Sequence, residues 1–462
     1  MKKFLLSFSV FLGIVSVNAQ NPIIKGLYSA DPTARVFNGK VYVYPSHDII
    51  SPVEPERKWF CMADYHVFSS GNLTDWTDHG MIIDQNDVPW VEKNYSMWAP
   101  DCIQKDGKYY FFFPANVKGG RGFGVGVAVA DSPEGPFVPR EKNVEGINGI
   151  DPCVLQGYDG NWYIYWGGVN AAKLKDDFSG LSEDNPVSEI AFGERKFKMV
   201  GVNVSKTLPA AGLKEGPFAF KRGGKYYLTY PWVRGTAGAP GPDGKPSDNH
   251  TECLAYAMSD NPLGPFEYKG IIMQESPTGC WTNHHSIVDY EGQYYLFYHH
   301  SDYSVDFDKN RSVRVDSLFF NADGTIREVK PTLRGVGVTK ATSQINLDRY
   351  TSISGATIEF LDPASPFEGW KTKFAKFSDA VTYNTVDFGK GVSEVTLRVN
   401  NAKNNATLTI VADGVKLAQV QMKDVNDWTE QTFKLDCGTN GIHHLSATLD
   451  AGAVEVDWIS FK

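Results

Sequence analysis

The sequence lacks a surplus of positive charge. Its 45 lysine and arginine residues are outnumbered by 54 aspartate and glutamate residues, so the formal net charge is −9. Beyond the first three residues there is no basic run. Proteins that bind nucleic acids need a cationic face, and we therefore exclude nucleic acid as a partner.

Closely spaced cysteines are also missing. Six cysteines are scattered along the chain without a Cys-x-x-Cys pair, which argues against a zinc cluster. We expect most of them to be small buried residues in strands, with one or two disulfides as the alternative. Their positions are Cys61, Cys102, Cys153, Cys253, Cys280 and Cys437.

A sustained apolar run occurs only at the N-terminus, and it is too short to span a membrane. Two lysines precede this run, which covers residues 4–17, and Ala19 completes a suitable cleavage site. The pattern predicts a secretory signal peptide over residues 1–19, with a mature chain that begins at Gln20. We therefore expect an exported protein, periplasmic or extracellular, without a membrane span.

Helical periodicity over long stretches is absent as well. Aromatic residues make up 13 % of the chain, and there are 44 glycines and 25 prolines. This composition predicts an all-β protein with many turns. Because 462 residues are too many for one ordinary core, we expect two domains, or a large repeat domain with an appendage.

One pattern recurs along the chain: a polar residue, a short apolar run, a glycine turn and an aromatic strand. Apolar residues that alternate on both sides of a glycine turn are typical of a β-hairpin. Repeats of such long period predict a five-bladed β-propeller over residues 22–337. The turn glycines are Gly39, Gly107, Gly160, Gly224 and Gly292.

The repeat pattern breaks between residues 339 and 352. Beyond this junction the strands are short and alternate between apolar and polar residues, which predicts a small β-sandwich over residues 345–462. Two insertions in the propeller, residues 171–197 and 235–249, are rich in loop-forming residues and are expected at one rim.

The start of each innermost strand of a propeller lies at one mouth of its central channel, so the polar residues ahead of each repeat should converge there. Several carboxylates in one depression cannot all ionise cheaply, and their pKa values should separate. One protonated acid and one ionised base are what acid-catalysed cleavage of a glycosidic bond requires. The alternative is that each acid only caps a turn before a proline. The converging residues are Asp31, Asp101 (or Ala99), Asp151, Glu215 and His284 or His285.

Five short motifs taken together resemble glycoside hydrolase family 43, over about residues 22 to 337. The resemblance implies a five-bladed propeller and hydrolysis with inversion at the anomeric carbon. The motifs are Asp31-Pro32, Trp98-Ala99-Pro100-Asp101, Asp151-Pro152, Lys214-Glu215-Gly216-Pro217 and Asn283-His284-His285-Ser286-Ile287-Val288.

The same resemblance assigns three catalytic roles. It implies that Asp31 is the general base that activates water, that Glu215 is the general acid, and that Asp151 orients this acid and tunes its pKa. Since an inverting mechanism needs room for a water molecule, we expect Asp31 and Glu215 to lie about 6.5–9.5 Å apart.

Further residues are expected around the sugar. Trp98 should stack on its apolar face, whereas Trp166 and Trp232 could either stack or pack between blades. Arg311 resembles an arginine that the family directs at substrate hydroxyls, with a surface strand arginine as the alternative. His285 would contact substrate or organise the channel, where calcium would suit oxygen-rich surroundings better than zinc. No cofactor is expected to be required.

The C-terminal region resembles a family 6 carbohydrate-binding module. The matching text includes residues 383–389, Trp428-Thr429 and residues 456–458. The resemblance implies that Tyr383 and Trp428 clasp a sugar. An asparagine that the family usually carries near the last motif has no counterpart here, so a purely structural appendage is the alternative.

These resemblances imply an exported exo-glycosidase of the β-xylosidase or α-L-arabinofuranosidase type, acting on xylan or arabinoxylan. Rim insertions would wall off the channel and favour removal of terminal residues. The alternatives are an arabinanase or galactan-directed hydrolase of the same fold, or a propeller that binds sugar without cleaving it.

Overall fold

The computed structural model describes residues 21–462 except 54–55, 57–58, 121, 193–194, 210–211, 235–250, 278 and 305, and residues 188–192 and 195–197 by backbone only. The signal peptide predicted over residues 1–19 and the insertion predicted over residues 235–249 lie outside the described residues, so export stays a prediction. Within the described part, no helix is both long and apolar enough to cross a membrane.

Five antiparallel sheets form a β-propeller, as predicted from the repeat. The innermost strand of each sheet contacts the innermost strand of the next, and the fifth contacts the first, so the sheets close into a ring. The strands of the first three sheets are Tyr28–Phe37, Lys40–Asp48, Met62–Ser70 and Thr77–Asp84; Asp101–Lys105, Lys108–Asn116, Phe123–Ala130 and Val138–Pro139; and Cys153–Gln156, Trp162–Trp166, Asn170–Lys173 and Val202–Asn203.

The fourth and fifth sheets continue this arrangement. Their strands are Phe218–Arg222, Lys225–Trp232, Cys253–Ser259 and Glu267–Met273, followed by His285–Tyr290, Gln293–His300 and Ser312–Leu318. The insertion predicted as loop over residues 171–197 begins within a strand of the third sheet and includes the separate hairpin Val187–Phe192 with Arg195–Val200. A short 3-10 helix, Val204–Thr207, follows it.

The glycine turns identified in the sequence fix the hairpins at the outer end of the innermost strands. In the first hairpin Asn38 and Gly39 have φ angles of 50° and 74°, and they join Phe37 directly to Lys40. Positive φ at both central residues gives a turn whose twist matches that of the two strands, and glycine adopts it without steric cost. Each such turn sends the chain back toward the mouth where the innermost strand began.

The fifth sheet has three strands, and the start of the described chain completes it. The N–H of Ile23 donates to the carbonyl of Val313 at 2.9 Å. The N–H of Val315 donates to Oδ1 of Asn21 at 2.8 Å. Because residues from the beginning of the propeller bind its last sheet, the ring is closed by hydrogen bonds as well as by packing.

Asp101 ties three sheets together near the centre of the ring. Its carboxylate accepts two hydrogen bonds from Arg35 at 2.7 Å and one from the N–H of Val154 at 2.6 Å. The side chain is fully buried. Asp101 therefore has a structural role, and the alternative named with it, Ala99, is the residue that reaches the mouth.

A second unit with sandwich-like β-sheet packing follows the propeller and begins at Thr339. Two long strands pair along most of their length and carry the apolar core. The elements are Thr339–Lys340, Ile345–Asn346, Ser352–Ser354, Thr357–Phe360, the 3-10 helix Pro366–Glu368, Trp370–Phe374, Ala380–Asp387, Glu394–Ala412, Val415–Gln421, Thr429–Lys434 and Ile442–Phe461.

Aromatic side chains join this unit to the propeller. The rings of Tyr303 and Trp370 stack with centroids 5.0 Å apart, and Phe367 lies 4.9 Å from the ring of Tyr28. Such pairs bury a large apolar area and prefer the tilted or offset geometry seen here.

The cysteines are free thiols, and all but Cys437 are buried. This confirms the expectation that they are mainly small interior residues rather than disulfide partners.

The Asp101 contact predicts a measurable loss of stability. Replacing Asp101 with Ala leaves the guanidinium of Arg35 without its counter-charge, and we expect the free energy of unfolding to fall by about 3 kcal/mol. Thermal and urea unfolding of the whole chain measure this. The matched control is Asp131→Ala, which removes an exposed ion pair with Lys108 and should leave the midpoint unchanged. Equal midpoints for the two variants would contradict the structural role of Asp101.

Candidate active site

A cavity opens at the mouth of the propeller, where the innermost strands begin. All five sheets or their connections contribute to its wall, so residues far apart in the sequence meet there. The lining residues are Asp31, Trp59, Phe60, Met62, Trp98, Ala99, Ile150, Asp151, Glu215, Pro231, Glu252, Trp281, Thr282, His284 and Arg311. The predicted residues Asp31, Trp98, Asp151, Glu215 and Arg311 are all among them.

Asp31 lies on the innermost strand of the first sheet, in the left-handed region with φ of 48°. Its Oδ1 accepts a hydrogen bond from Arg311 at 2.8 Å, and its Oδ2 accepts one from the hydroxyl of Ser46 at 2.6 Å. Burial opposes ionisation, but the charge of Arg311, the nearby imidazoles of His299 and His284 and the Ser46 bond outweigh it and lower the pKa of Asp31 to about 2. Asp31 is therefore ionised at neutral pH.

Arg311 is buried, and its N–H groups donate hydrogen bonds to acceptors within the protein. Its Nε and Nη2 donate to Asp48 at 2.9 and 2.8 Å, and its Nη1 donates to Asp31 at 2.8 Å and to Thr282 at 3.2 Å. A second bond from Nη2 reaches Asp31 at 3.3 Å. All five N–H groups of the guanidinium thus have partners. In the structure Arg311 pairs the two carboxylates, and because it also lines the cavity, its contact with substrate hydroxyls stays a prediction.

Asp151 enters the cavity from the connection ahead of the third sheet, also in the left-handed region with φ of 57°. Its Oδ2 accepts the N–H of Gly216 at 3.2 Å, the residue that follows Glu215. Burial and the neighbouring charges of Glu215 and Asp31 raise the pKa of Asp151 well above its usual range. Asp151 therefore touches the backbone beside Glu215, and its own carboxyl tends to keep its proton.

Glu215 is partly buried in the same cavity. Burial raises the pKa of its carboxyl, and the charge of Asp31 adds to this, while a hydrogen bond with Glu252 acts in the opposite direction. The net shift is upward, so Glu215 keeps a proton to higher pH than an ordinary glutamate does.

Glu252 is a carboxyl residue of the site that sequence analysis missed. It is 1 % exposed, and its Oε2 accepts the N–H of Asn283 at 3.0 Å. Burial and the negative charge of Glu215 raise the pKa of Glu252 well above its usual range. Two neighbouring carboxyl groups cannot both ionise readily, so one of this pair holds its proton to higher pH.

A positional signal for Glu252 does exist in the sequence. It stands directly ahead of Cys253–Ser259, the third strand of the fourth sheet, and Arg311 stands directly ahead of the third strand of the fifth. Since strands alternate in direction, third strands begin at the same mouth as first strands. Sequence analysis considered only the residues ahead of the first strands.

Aromatic rings form one side of the cavity. The ring of Phe60 lies 5.9 Å from that of Trp98 and 5.7 Å from that of Trp281, and Trp59 lies 5.9 Å from Trp281. Trp98 thus lies where stacking on a sugar was expected, next to three aromatic residues that sequence analysis did not single out.

Trp166 and Trp232 lie away from the wall of this cavity. Both are almost completely buried and belong to apolar clusters within and between the blades. Of the two expectations for these residues, packing between blades is the one that the structure supports.

His284 and His285 lie in different surroundings, one on the cavity wall and one in the interior. His284 lines the cavity, and its Nδ1 lies 3.8 Å from Oδ1 of Asp31. His285 is 1 % exposed, and its Nε2 lies 2.6 Å from Oγ1 of Thr229. Successive residues of a strand point to opposite sides. The assignment of His285 as a substrate contact is therefore corrected in favour of His284.

The donor atoms at His285 give only partial support for a bound calcium ion. Nδ1 of His285 is buried without a hydrogen-bond partner, which leaves room for a further ligand. Calcium, however, takes six to eight oxygen ligands. Within the described residues, His285 belongs to no group of three His, Cys, Asp or Glu donors. These side chains alone do not fit calcium, and no chemical step is assigned to it.

The two residues predicted to bind sugar in the C-terminal unit, Tyr383 and Trp428, differ in burial. Tyr383 is 1 % exposed, with the guanidinium of Arg334 4.5 Å from its ring centroid. The prediction that Tyr383 clasps a sugar is corrected, because its ring has no free face. Trp428 is half-buried, and Arg398 lies 4.8 Å from its ring centroid.

Comparison with known families follows the same two units. The model for Glycosyl hydrolases family 43 matches residues 19–326. The model for Carbohydrate binding module (family 6) matches residues 348–462.

Individual relatives match the first unit over almost their whole length. A xylosidase/arabinosidase 43A from Humicola insolens is 37 % identical over 345 residues, covering 67 % of this chain and 99 % of the relative. A beta-xylosidase from Xylanibacter ruminicola is 38 % identical over 330 residues, covering 66 % and 97 %. A solved GH43 beta-xylosidase/alpha-arabinofuranosidase from a compost microbial metagenome, in complex with xylotriose and calcium-free, has a TM-score of 0.55 at 36 % identity, covering 68 % of this chain and 98 % of that one.

The carboxyl cluster predicts a pH-dependent gain of stability for Glu252→Gln. A carboxyl whose pKa is raised in the folded state destabilises that state as pH rises above its ordinary pKa of 4.5, because the unfolded chain ionises first. Glutamine does not ionise, so the variant should match the wild type near pH 4 and melt at a higher temperature than the wild type at pH 7 to 8. Melting curves across this range measure the difference. A difference that does not change with pH would contradict the raised pKa.

Proposed function

We propose that this chain, which belongs to glycosyl hydrolase family 43, removes terminal xylose or arabinofuranose from plant cell-wall glycans with inversion at the anomeric carbon. The chain is a glycoside hydrolase of the β-xylosidase/α-L-arabinofuranosidase type. One observation carries the proposed mechanism: a carboxylate that stays ionised and a carboxyl that holds its proton line the same cavity.

In this mechanism Asp31 is the general base. Its low pKa keeps it ionised, and it accepts a proton from a water molecule while the water oxygen bonds to the anomeric carbon. A weak base is favourable here only if it is held in place, and the bonds from Arg311 and Ser46 hold it. The proposed role of Asp31 as base therefore depends on its fixed position next to the water molecule and not on a high pKa.

Glu215 is the general acid. As the bond between the anomeric carbon and the leaving oxygen breaks, Glu215 gives its proton to that oxygen. Its raised pKa supports this role, because the carboxyl keeps its proton to higher pH than an ordinary glutamate does. Asp151 contributes by binding the N–H of Gly216, which fixes the backbone next to the acid. For a water molecule to fit, the carboxyls of Asp31 and Glu215 should lie about 6.5–9.5 Å apart.

The aromatic side of the cavity is proposed to bind the sugar rings. Trp98 and Phe60 offer flat apolar faces beside the carboxyl groups, and Trp59 extends the wall outward with 41 % of its surface exposed. Sugars present apolar C–H faces that stack on such rings. The solved relative in complex with xylotriose supports an oligosaccharide as substrate.

Glu215→Gln tests the assignment of the acid. On natural xylo-oligosaccharides we expect kcat to fall on the order of 10²–10⁴-fold, because the leaving oxygen departs without a proton. On an aryl xyloside with an activated phenol the loss should be much smaller, because this leaving group needs no proton. Steady-state kinetics on both substrates measure the contrast.

The control is Glu134→Gln, which changes a carboxylate that accepts a bond from Tyr42 outside the cavity and should leave both rates unchanged. Equal losses on the two substrates would contradict the role of Glu215. Proton NMR of the first-formed sugar tests inversion separately, and retained configuration would exclude the mechanism.

A further inference from the structure

A second group of donor side chains lies on the first sheet, outside the cavity wall. His47 belongs to the strand Lys40–Asp48, and Asp64 and His66 belong to the neighbouring strand Met62–Ser70. One nitrogen or oxygen atom from each of the three lies within 4.8 Å of the other two. Within the described residues this is the only group of three or more His, Cys, Asp or Glu donors with such spacing.

The distances within this group suit a small cation. Oδ1 of Asp64 lies 2.9 Å from Nδ1 of His47 and 3.6 Å from Nε2 of His66. Zinc bonds of about 2.0–2.1 Å at tetrahedral angles place neighbouring ligand atoms about 3.3 Å apart. The two measured distances lie on either side of this value, so a metal ion would require only small movements of the side chains.

Charge and burial also favour a cation. The three side chains are 13 to 21 % exposed, so an ion can reach them while most of the site is protected from water. Within the described residues, the ion-pair partners of Asp64 are these two imidazoles and no lysine or arginine. Nδ1 of His66 is buried without a hydrogen-bond partner, and it lies 3.8 Å from Oδ1 of Asp78.

We propose that His47, Asp64 and His66 form a binding site for Zn²⁺ or a similar transition metal. Two imidazoles and one carboxylate suit zinc, copper or nickel, whereas calcium and magnesium prefer oxygen ligands. A water molecule would complete a four-coordinate site. The site is separate from the proposed hydrolytic cavity and does not depend on that function.

The position of His47 indicates what a bound ion would do. Its neighbours in the strand, Ser46 and Asp48, are direct partners of Asp31 and Arg311. Because side chains alternate along a strand, His47 faces away from these partners. An ion held by His47 would therefore fix the end of the strand that positions Asp31, from the opposite side of the sheet. His47, Asp64 and His66 act as metal ligands and positioning residues, not as catalytic residues.

Zinc titration of the untagged, EDTA-treated full chain tests the site. By calorimetry we expect one equivalent of Zn²⁺ to bind the wild type, and His66→Ala and Asp64→Asn to weaken this binding by at least about tenfold, as the loss of a ligand should. The matched control is His443→Ala, which removes the comparable 2.8 Å bond to Asp413 in the C-terminal unit and should leave zinc binding unchanged.

A second measurement requires no variant and remains informative if a substitution impairs folding. X-ray absorption of the zinc-loaded wild type should reveal two imidazole nitrogens in the first coordination shell. The proposal is overturned if the wild type binds no zinc at micromolar concentration, if folded His66→Ala and Asp64→Asn bind as tightly as the wild type, or if the spectrum lacks two imidazoles.

Discussion

A single guanidinium shared by two buried carboxylates is the interaction on which the rest of the site depends. Arg311 binds Asp48 and Asp31 with four of its five N–H groups, and these three side chains come from opposite ends of the propeller sequence. A buried charge without a partner is costly, so the ring must close for this triad to form. Closing the ring therefore brings Arg311 next to Asp31, and the charge of Arg311 favours the ionised form of this carboxylate.

Within the part of the chain that the structure describes, the remaining carboxyls of the cavity form no ion pair with a lysine or arginine. The positive charge of Arg311 is already balanced by Asp31 and Asp48, and burial raises the pKa values of Asp151, Glu215 and Glu252. The same cavity thus contains one strongly ionised acid and a group that retains protons. This separation follows from where one arginine lies, and it fits the base and the acid that the proposed inverting hydrolysis requires.

The propeller and much of its mouth could be predicted because they rest on local signals. A two-residue glycine turn such as that at Gly39 fixes four of the five hairpins, and the start of each first strand lies near the mouth whatever the loops do. Sequence analysis did not identify Glu252, because this residue precedes a third strand and follows a long insertion. His284 and His285 are adjacent, so a shift of one residue decides which of them faces the cavity. The alternation of side chains along the strand determines this, and composition alone does not.

Longer-range contacts explain the other differences. Asp101 has the same sequence context as the acids of the mouth, yet Arg35 draws it into the centre of the ring. Tyr383 has the aromatic character of a sugar contact, but Arg334 covers its ring. In both cases an arginine from a distant segment decides the outcome, and a pattern within one segment contains no information about that partner.

Neutron diffraction of the deuterium-exchanged protein near neutral pH is the most direct measurement of the central claim, because it locates the protons on these carboxyl groups. The account predicts a deuteron on Glu215 and none on Asp31. A deuteron on Asp31, with Glu215 and Glu252 both bare, would contradict it.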